Sequence, residues 1–246
     1  MKIEGTRAVV TGGGSGIGLA LATALAEAGS HVTITGRNED KLVRAAASHE
    51  RIDHAVCDVT DDAAILALRE RLDGAGGCDL LVNNAGVMHR YDVTADFSLD
   101  RKLQEVAIDA SGPVRMVHHF LPGMLTRSST IVNVSSGLAF VPFAQAPVYS
   151  GTKAFLHAYT QSLRAQLAGT TVRVVELMPP VVATEMVDDL DPSFPRMPPE
   201  TLAAAFMKGL RGGNDEIAPG QSSQLRVMRR LAPGFIFGQL NKQPRP

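Results

Sequence analysis

A chain of 246 residues that is 45% hydrophobic can bury a substantial core within one α/β domain. Its formal charge of -1, with acidic and basic residues interspersed, excludes the broad basic field that draws nucleic acid or acidic lipid and leaves a small-molecule ligand. Cys57 and Cys78 each border an apolar run, as suits buried reduced thiols of a cytoplasmic protein; no secretion signal follows Met1, and no run nears the ~18 apolar residues of a membrane span.

Arg7-Ala8-Val9-Val10 reads as a buried strand, Gly16 to Ala28 as an Ala/Leu-rich helix stopped by Gly29, and His31 to Thr35 as a second strand. A helix over 39–48, a strand over 54–57, a helix over 61–72 with an Asp or Thr60 cap, and the strand Leu80-Leu81-Val82 follow. Two helical segments, 99–110 and 112–125, lead to a strand at 130–134, a helix at 148–167, a strand at 172–177, a helix at 200–210 and a short strand at 216–218. Strand and helix in such alternation require a parallel sheet covered on both faces. The expected class is α/β, a doubly wound three-layer sandwich whose central sheet has about seven strands. No linker divides it, so residues 1–246 read as a single domain, with a proline-rich loop near 179–199 inserted on the substrate side.

Thr11-Gly12-Gly13-Gly14-Ser15-Gly16-Ile17-Gly18 lies between the first strand and first helix. Glycines there allow a tight turn and close backbone approach, and the helix N-terminus offers unpaired N–H groups to a pyrophosphate. After the second strand, Gly36-Arg37 stands where an acidic residue would accept hydrogen bonds from a ribose 2′-hydroxyl. Arg37 instead suits a 2′-phosphate, which favours NADP(H) and leaves NAD(H) possible.

Tyr149 and Lys153 are four residues apart on a predicted helix and so share a face, where a cation favours the phenolate. Taken with the glycine turn, Asp58 after the third strand, Asn83-Asn84-Ala85-Gly86, Ser135-Ser136 and Pro179 to Thr184, they make the chain resemble the classical short-chain dehydrogenases/reductases from end to end. The resemblance implies a Rossmann-type fold, a homo-oligomer and hydride transfer between nicotinamide and a carbonyl or alcohol carbon. By the same resemblance Tyr149 is the general acid/base, Lys153 lowers its pKa and holds the nicotinamide ribose, and Ser136 hydrogen-bonds the substrate oxygen, Ser135 being structural. The cofactor would meet Gly12, Gly14, Ser15, Gly16, Ile17, Gly18, Arg37, Asp58, Val59, Asn84, Ala85, Gly86, Tyr149, Lys153, Pro179, Val182 and Thr184. The segments 136–142, 176–180 and 231–236 look more narrowly like oxidoreductases associated with the D-alanylation operon of bacterial cell walls, a likeness that names no substrate.

Asp109 occupies the position where many members carry a relay asparagine that holds a water connecting the lysine to solvent. An ionised carboxylate accepts hydrogen bonds but donates none, and beside Lys153 it would raise Tyr149. The expected result is an alkaline-shifted pH profile that Asp109→Asn moves toward neutrality.

Met186, Val187, Leu190, Phe194 and Met197, with Phe140, Val141 and Phe143, supply apolar groups for an apolar ketone, aldehyde or alcohol. His89 and Arg90 are candidates for a polar substrate group. His118-His119 lacks partners at metal-ligand spacing, so no metal is expected. The basic and apolar tail, 226–240, suits packing on a neighbouring subunit better than contact with a membrane surface, and no integral membrane association is expected. Two other classes compete with the oxidoreductase: a nucleotide-sensing binding protein of weak turnover, and an epimerase or lyase on the same scaffold.

Overall fold

A computed structural model describes residues 2–95 and 98–242. Its strands are β1 (Arg7–Thr11), β2 (His31–Gly36), β3 (Ile52–Val56), β4 (Leu80–Asn83), β5 (Ser129–Val134), β6 (Val172–Leu177) and β7 (Glu216–Ile217). They form one parallel sheet in the order β3-β2-β1-β4-β5-β6-β7. The helices are α1 (Gly16–Glu27), α2 (Glu39–Ala46), α3 (Asp62–Gly74), α4 (Leu99–Val106), α5 (Gly112–Met124), α6 (Pro147–Gln166), α7 (Pro199–Arg211), α8 (Gln221–Leu231) and α9 (Pro233–Leu240). None is long and apolar enough to cross a membrane.

Alternation along the strands builds both hydrophobic layers. Val10, Val82, Val132 and Val175 face one side, against Leu21 and Leu25 of α1 and Phe206 of α7. Val9, Leu81, Ile131 and Val174 face the other, against Ile65 of α3, Met116 and Phe120 of α5 and Leu163 of α6. The chain therefore has the expected Rossmann-like three-layer architecture, with its crevice where the strand order reverses between β1 and β4.

Element ends follow local chemistry. Asn38 caps α2 through the Lys41 amide, and Asp61 caps α3 through the amides of Ala63 and Ala64. The segments at 99–110 and 112–125 are continuous, in place of two helices parted at Ser111. A π-turn over Ala107–Ser111 joins them, the Gly112 N–H reaching back to the Ala107 carbonyl. The wider turn accommodates Pro113, which has no N–H for the helical ladder, and Gly112 packs so closely on Val59 that a Cβ would lie 2.9 Å from its Cγ2.

The proline-rich stretch is ordered by a parallel bridge between Val182 and Met197 and a 3₁₀ turn at Glu185–Val187. Arg90 secures it from the β4 side, pairing with the Asp189 carboxylate at 2.7 Å and hydrogen-bonding its carbonyl, while also donating to Gln145 at 3.1 Å. Its guanidinium is thus engaged in loop closure and does not line the cleft, contrary to the expected substrate contact.

Candidate active site

At the C-terminal edge of the sheet, a cleft of about 670 Å³ runs from the β1–α1 turn across the ends of β4, β5 and β6 to α8 and α9. Gly12 and Gly16 adopt φ of 65° and 53°, which favours glycine. A Cβ on Gly18 would lie 2.2 Å from the Gly12 carbonyl oxygen, so the turn closes to its helix only with glycine there. Ser15 is extended at the start of α1 and its side chain makes no capping hydrogen bond, leaving the helix amides directed at the cleft.

Thr11 and Asn84 brace this turn against β4. The Thr11 hydroxyl accepts from the amides of Asn84 and Ala85, each at 2.9 Å, and the Asn84 side chain donates to the Thr11 carbonyl at 2.9 Å. Asn83 is internal: it donates to Asn133, which donates to Thr160. Asn84, Ala85 and Gly86 form one cleft wall and Pro179, Val182 and Thr184 another, with Gly12, Ser15, Gly16, Ile17 and Gly18 at the floor. Lys41 of α2 reaches across to Glu185 at 2.9 Å, bridging the turn to the loop after β6. Gly14, Arg37, Asp58 and Val59 lie outside the lining: Arg37 is exposed past β2, Asp58 accepts from the Thr60 amide and hydroxyl, and Val59 is buried under Gly112.

Ser136, Tyr149 and Lys153 converge on the same cleft. Ser136 follows β5, where its oxygen accepts from the Leu138 amide at 3.1 Å and its side chain hydrogen-bonds the Tyr149 hydroxyl. Tyr149 and Lys153 sit one turn apart on α6, whose start is fixed by Ser150: its hydroxyl accepts from the Phe143 amide and donates to the Ala146 carbonyl. Ser135 has the expected internal place, hydrogen-bonded to buried Glu176, which also binds His157 Nδ1 at 2.9 Å.

Lys153 is buried; its ammonium donates to the Val134 carbonyl at 3.1 Å and lies 5.3 Å from the Tyr149 ring centroid. Asp109, 0% exposed, lies 3.7 Å from Lys153 Nζ and accepts from the Val87 amide at 2.9 Å. The register that places Asp109 beside the lysine therefore holds. The expected lowering of the tyrosine does not: burial foremost, then Asp109 and Glu105, hold Tyr149 above the ordinary phenol value, opposed by the Ser136 hydrogen bond. Lys153 directs its charge to Asp109 and a backbone carbonyl, over the Tyr149 ring. Burial also raises Asp109, to about 6, against the pull of Lys153.

Beyond Tyr149 the wall is apolar: Met88, Phe143, Met186, Val187, Leu190 and Phe194. Phe140 and Val141 pack with Met178, and Met197 packs on the core beside α7, so these three leave the pocket that the sequence assigned them. The tail does more than expected. Leu225, Met228, Phe235, Ile236 and Leu240 line the cleft with Gln221, Gln224 and Gln239, three polar groups that an amphipathic tail pattern does not single out. Glu105, equally absent from the sequence-based site, lies fully buried behind Asp109. His119 bonds Asp62 at 3.1 Å, away from the cleft, and both thiols are free and buried, which pushes Cys57 up to about 11 and Cys78 up to about 12.

A family model described as short chain dehydrogenase matches residues 6–193. The chain is 35% identical to an uncharacterized oxidoreductase, DltE, of Bacillus subtilis (strain 168), with 99% of each chain covered. Among solved structures, a short chain dehydrogenase from Burkholderia cenocepacia J2315 in complex with NADP superposes with a TM-score of 0.88 at 27% identity, covering 99% of this chain and 100% of that one. A short chain dehydrogenase/reductase from Burkholderia phymatum in complex with NAD shares the fold, at a TM-score of 0.86 and 22% identity, over 100% and 99% of the two chains. The chain belongs to the short-chain dehydrogenase family.

Proposed function

We propose that residues 1–246 form one NAD(P)-binding domain of a cytoplasmic oxidoreductase that transfers hydride between NADP(H) and an apolar carbonyl or secondary alcohol, with Tyr149 as general acid/base. The observation that carries this reading is the convergence of Ser136, Tyr149 and Lys153 in a cleft continuous with an uncapped helix N-terminus and its glycine turn. The residues fit a nicotinamide nucleotide: the turn from Gly12 to Gly18 would hold the pyrophosphate, Asn84 to Gly86 the adenosine side, and Lys153 with Val182 and Thr184 the nicotinamide end. The bound cofactor supplies or accepts hydride.

The chain's own residues handle the proton. Ser136 orients the substrate oxygen, and Tyr149 donates its hydroxyl proton to that oxygen in reduction or removes it in oxidation. A phenol held above its ordinary value stays protonated at neutral pH, which favours the reductive role. The apolar wall around Phe143, Leu190 and Phe194 excludes water and accepts a hydrocarbon substituent. Following nicotinamide absorbance with a panel of ketones and alcohols tests the reading. Nucleotide binding without redox change would favour a sensor, and product formation without net cofactor consumption an epimerase or lyase.

Arg37, exposed just past the end of β2 where an acidic residue would accept from a ribose 2′-hydroxyl, supports NADP(H) over NAD(H). Arg37→Ser is expected to raise the KM for NADPH by about 10- to 100-fold, the worth of a charge-assisted hydrogen bond, while sparing NADH. An unchanged ratio of the two specificities would overturn the assignment. The proposed homo-oligomer has a second surface besides the tail: Leu99, Leu103 and Val106 form an exposed apolar stripe on α4, with Phe155 exposed on α6. Light scattering should give a dimer or tetramer, and Leu103→Glu should shift it toward the monomer mass; a monomeric wild type would remove the proposal.

A further inference from the structure

Glu105 takes no part in the scheme above, yet, like Asp109, it is 0% exposed. The two carboxylates are four residues apart where α4 passes into the π-turn, so both project toward the same region of the interior. Each uses one oxygen on the loop after β4: the His89 amide donates to Glu105 Oε1 at 3.3 Å, and the Val87 amide to Asp109 Oδ1 at 2.9 Å. Of the remaining oxygens, Glu105 Oε2 is buried without a hydrogen-bond partner, and buried Asp109 Oδ2 has the Lys153 ammonium at 3.7 Å, beyond hydrogen-bond distance. Asp109 Oδ2 also lies directly behind the cleft wall, where a Cβ on Gly86 would stand 3.2 Å from it.

The surrounding charges do not balance two carboxylates. From α6 the pair faces Lys153, 3.7 Å from Asp109, and the Tyr149 hydroxyl. From the loop after β4 it faces His89 and the Tyr91 phenol, which burial and then Glu105 raise. On α4 itself, Lys102 is engaged over the Tyr91 ring at 4.8 Å, and Arg101 acts on His89. Among the described residues, the one buried ammonium that faces the pair does not balance two buried carboxylates, a state that taking up one proton relieves.

We propose that Glu105 and Asp109 form a buried carboxylate dyad that retains one proton between them near neutral pH, making Glu105 a positioning residue for the acid/base pair. The dyad then presents one negative charge to Lys153 and not two, and the field at Tyr149 strengthens when the second proton leaves. Glu105 raised to about 7 and Asp109 to about 6, with burial as the first cause of both and Asp109 contributing to the rise at Glu105, agree with that arrangement. The apparent values belong to the pair. The dyad itself is independent of turnover; its effect on catalysis rests on the proposed role of Tyr149.

Difference infrared spectroscopy of the nucleotide-free protein between about pH 5 and about pH 9 reads the dyad directly, through a carboxylic-acid C=O band that persists near neutrality. Glu105→Gln should remove that band at neutral pH, because Asp109, alone with Lys153, ionises at least about one unit lower. Asp109→Asn should displace it. A wild type without a protonated carboxyl near neutrality overturns the proposal even if the variants fail to fold, and so does a Glu105→Gln spectrum identical to wild type. The catalytic consequence is read separately: in alcohol oxidation, the alkaline inflection of kcat/KM should move about one unit toward neutrality in Glu105→Gln. A dyad band with an unmoved inflection overturns the positioning role, and a band in a protein that turns over no substrate overturns the function and leaves the dyad.

Discussion

Tyr149→Phe is expected to lower kcat by about 10²- to 10⁴-fold, the usual worth of a positioned general acid, while nucleotide affinity stays within about twofold. The hydroxyl contacts Ser136, on the side of the cleft proposed for substrate, so its removal should leave the proposed pyrophosphate cradle intact. Stability should change little, by about 1 kcal/mol for one buried hydrogen bond. Ser136 would keep its own place, since the Leu138 amide still donates to it. Stopped-flow reduction separates the steps: binding measured by nucleotide fluorescence should survive in the variant, and hydride transfer should not. Retained turnover in Tyr149→Phe would remove the tyrosine from the chemistry and require another proton donor in the cleft.

Much of this site was legible because its parts are local in sequence. The glycine turn, Asn84 to Gly86, Ser136 and the Tyr149/Lys153 pair each follow a strand or lie on one helix. A parallel sheet with right-handed crossovers delivers the ends of its strands to one edge. The strands themselves were readable from Val/Ile/Leu runs buried on both faces. What escaped was set by packing between elements distant in sequence. On α4, Leu99, Leu103 and Val106 recur on one helical stripe and are 65%, 56% and 40% exposed, while Glu105 is fully buried. Periodicity identifies a helix and an apolar stripe but not whether a stripe meets this chain or another copy, and it assigns a glutamate to solvent by default. The apolar residues after Ser136 show the same limit: Phe143 lines the cleft while Phe140 and Val141 turn into a separate cluster, a choice made by the 3₁₀ turn at Gly137–Ala139.

The burial of both carboxylates makes Lys153 as consequential for stability as for chemistry. Lys153→Met keeps the length and apolar stem of the side chain but removes the cation that pulls down both Asp109 and Glu105. Breaking a buried ion pair from one side costs about 3 to 5 kcal/mol, because the remaining charge stays desolvated. That cost depends on pH, and its direction follows from the carboxylates. Their folded-state values, about 6 for Asp109 and about 7 for Glu105, lie above the ordinary values of 3.8 and 4.5. Between those limits the folded chain binds more protons than the unfolded chain, so the contribution of these groups to stability falls as pH rises. At about pH 5 the pair is largely protonated in the fold and needs little compensation, so the substitution should cost about 1 kcal/mol or less. At about pH 8 both acids must ionise or hold their protons against solution, and the full cost should appear. Urea denaturation of wild type and Lys153→Met at the two pH values measures the difference. A loss that grows with pH supports Lys153 as counter-ion to the buried acids; an equal loss at both would mean that its stem packing, not its charge, holds this region together. The same variant should also lose turnover, since the proposed ribose contact goes with the ammonium, so the pH trend in stability is the reading that isolates the electrostatic role.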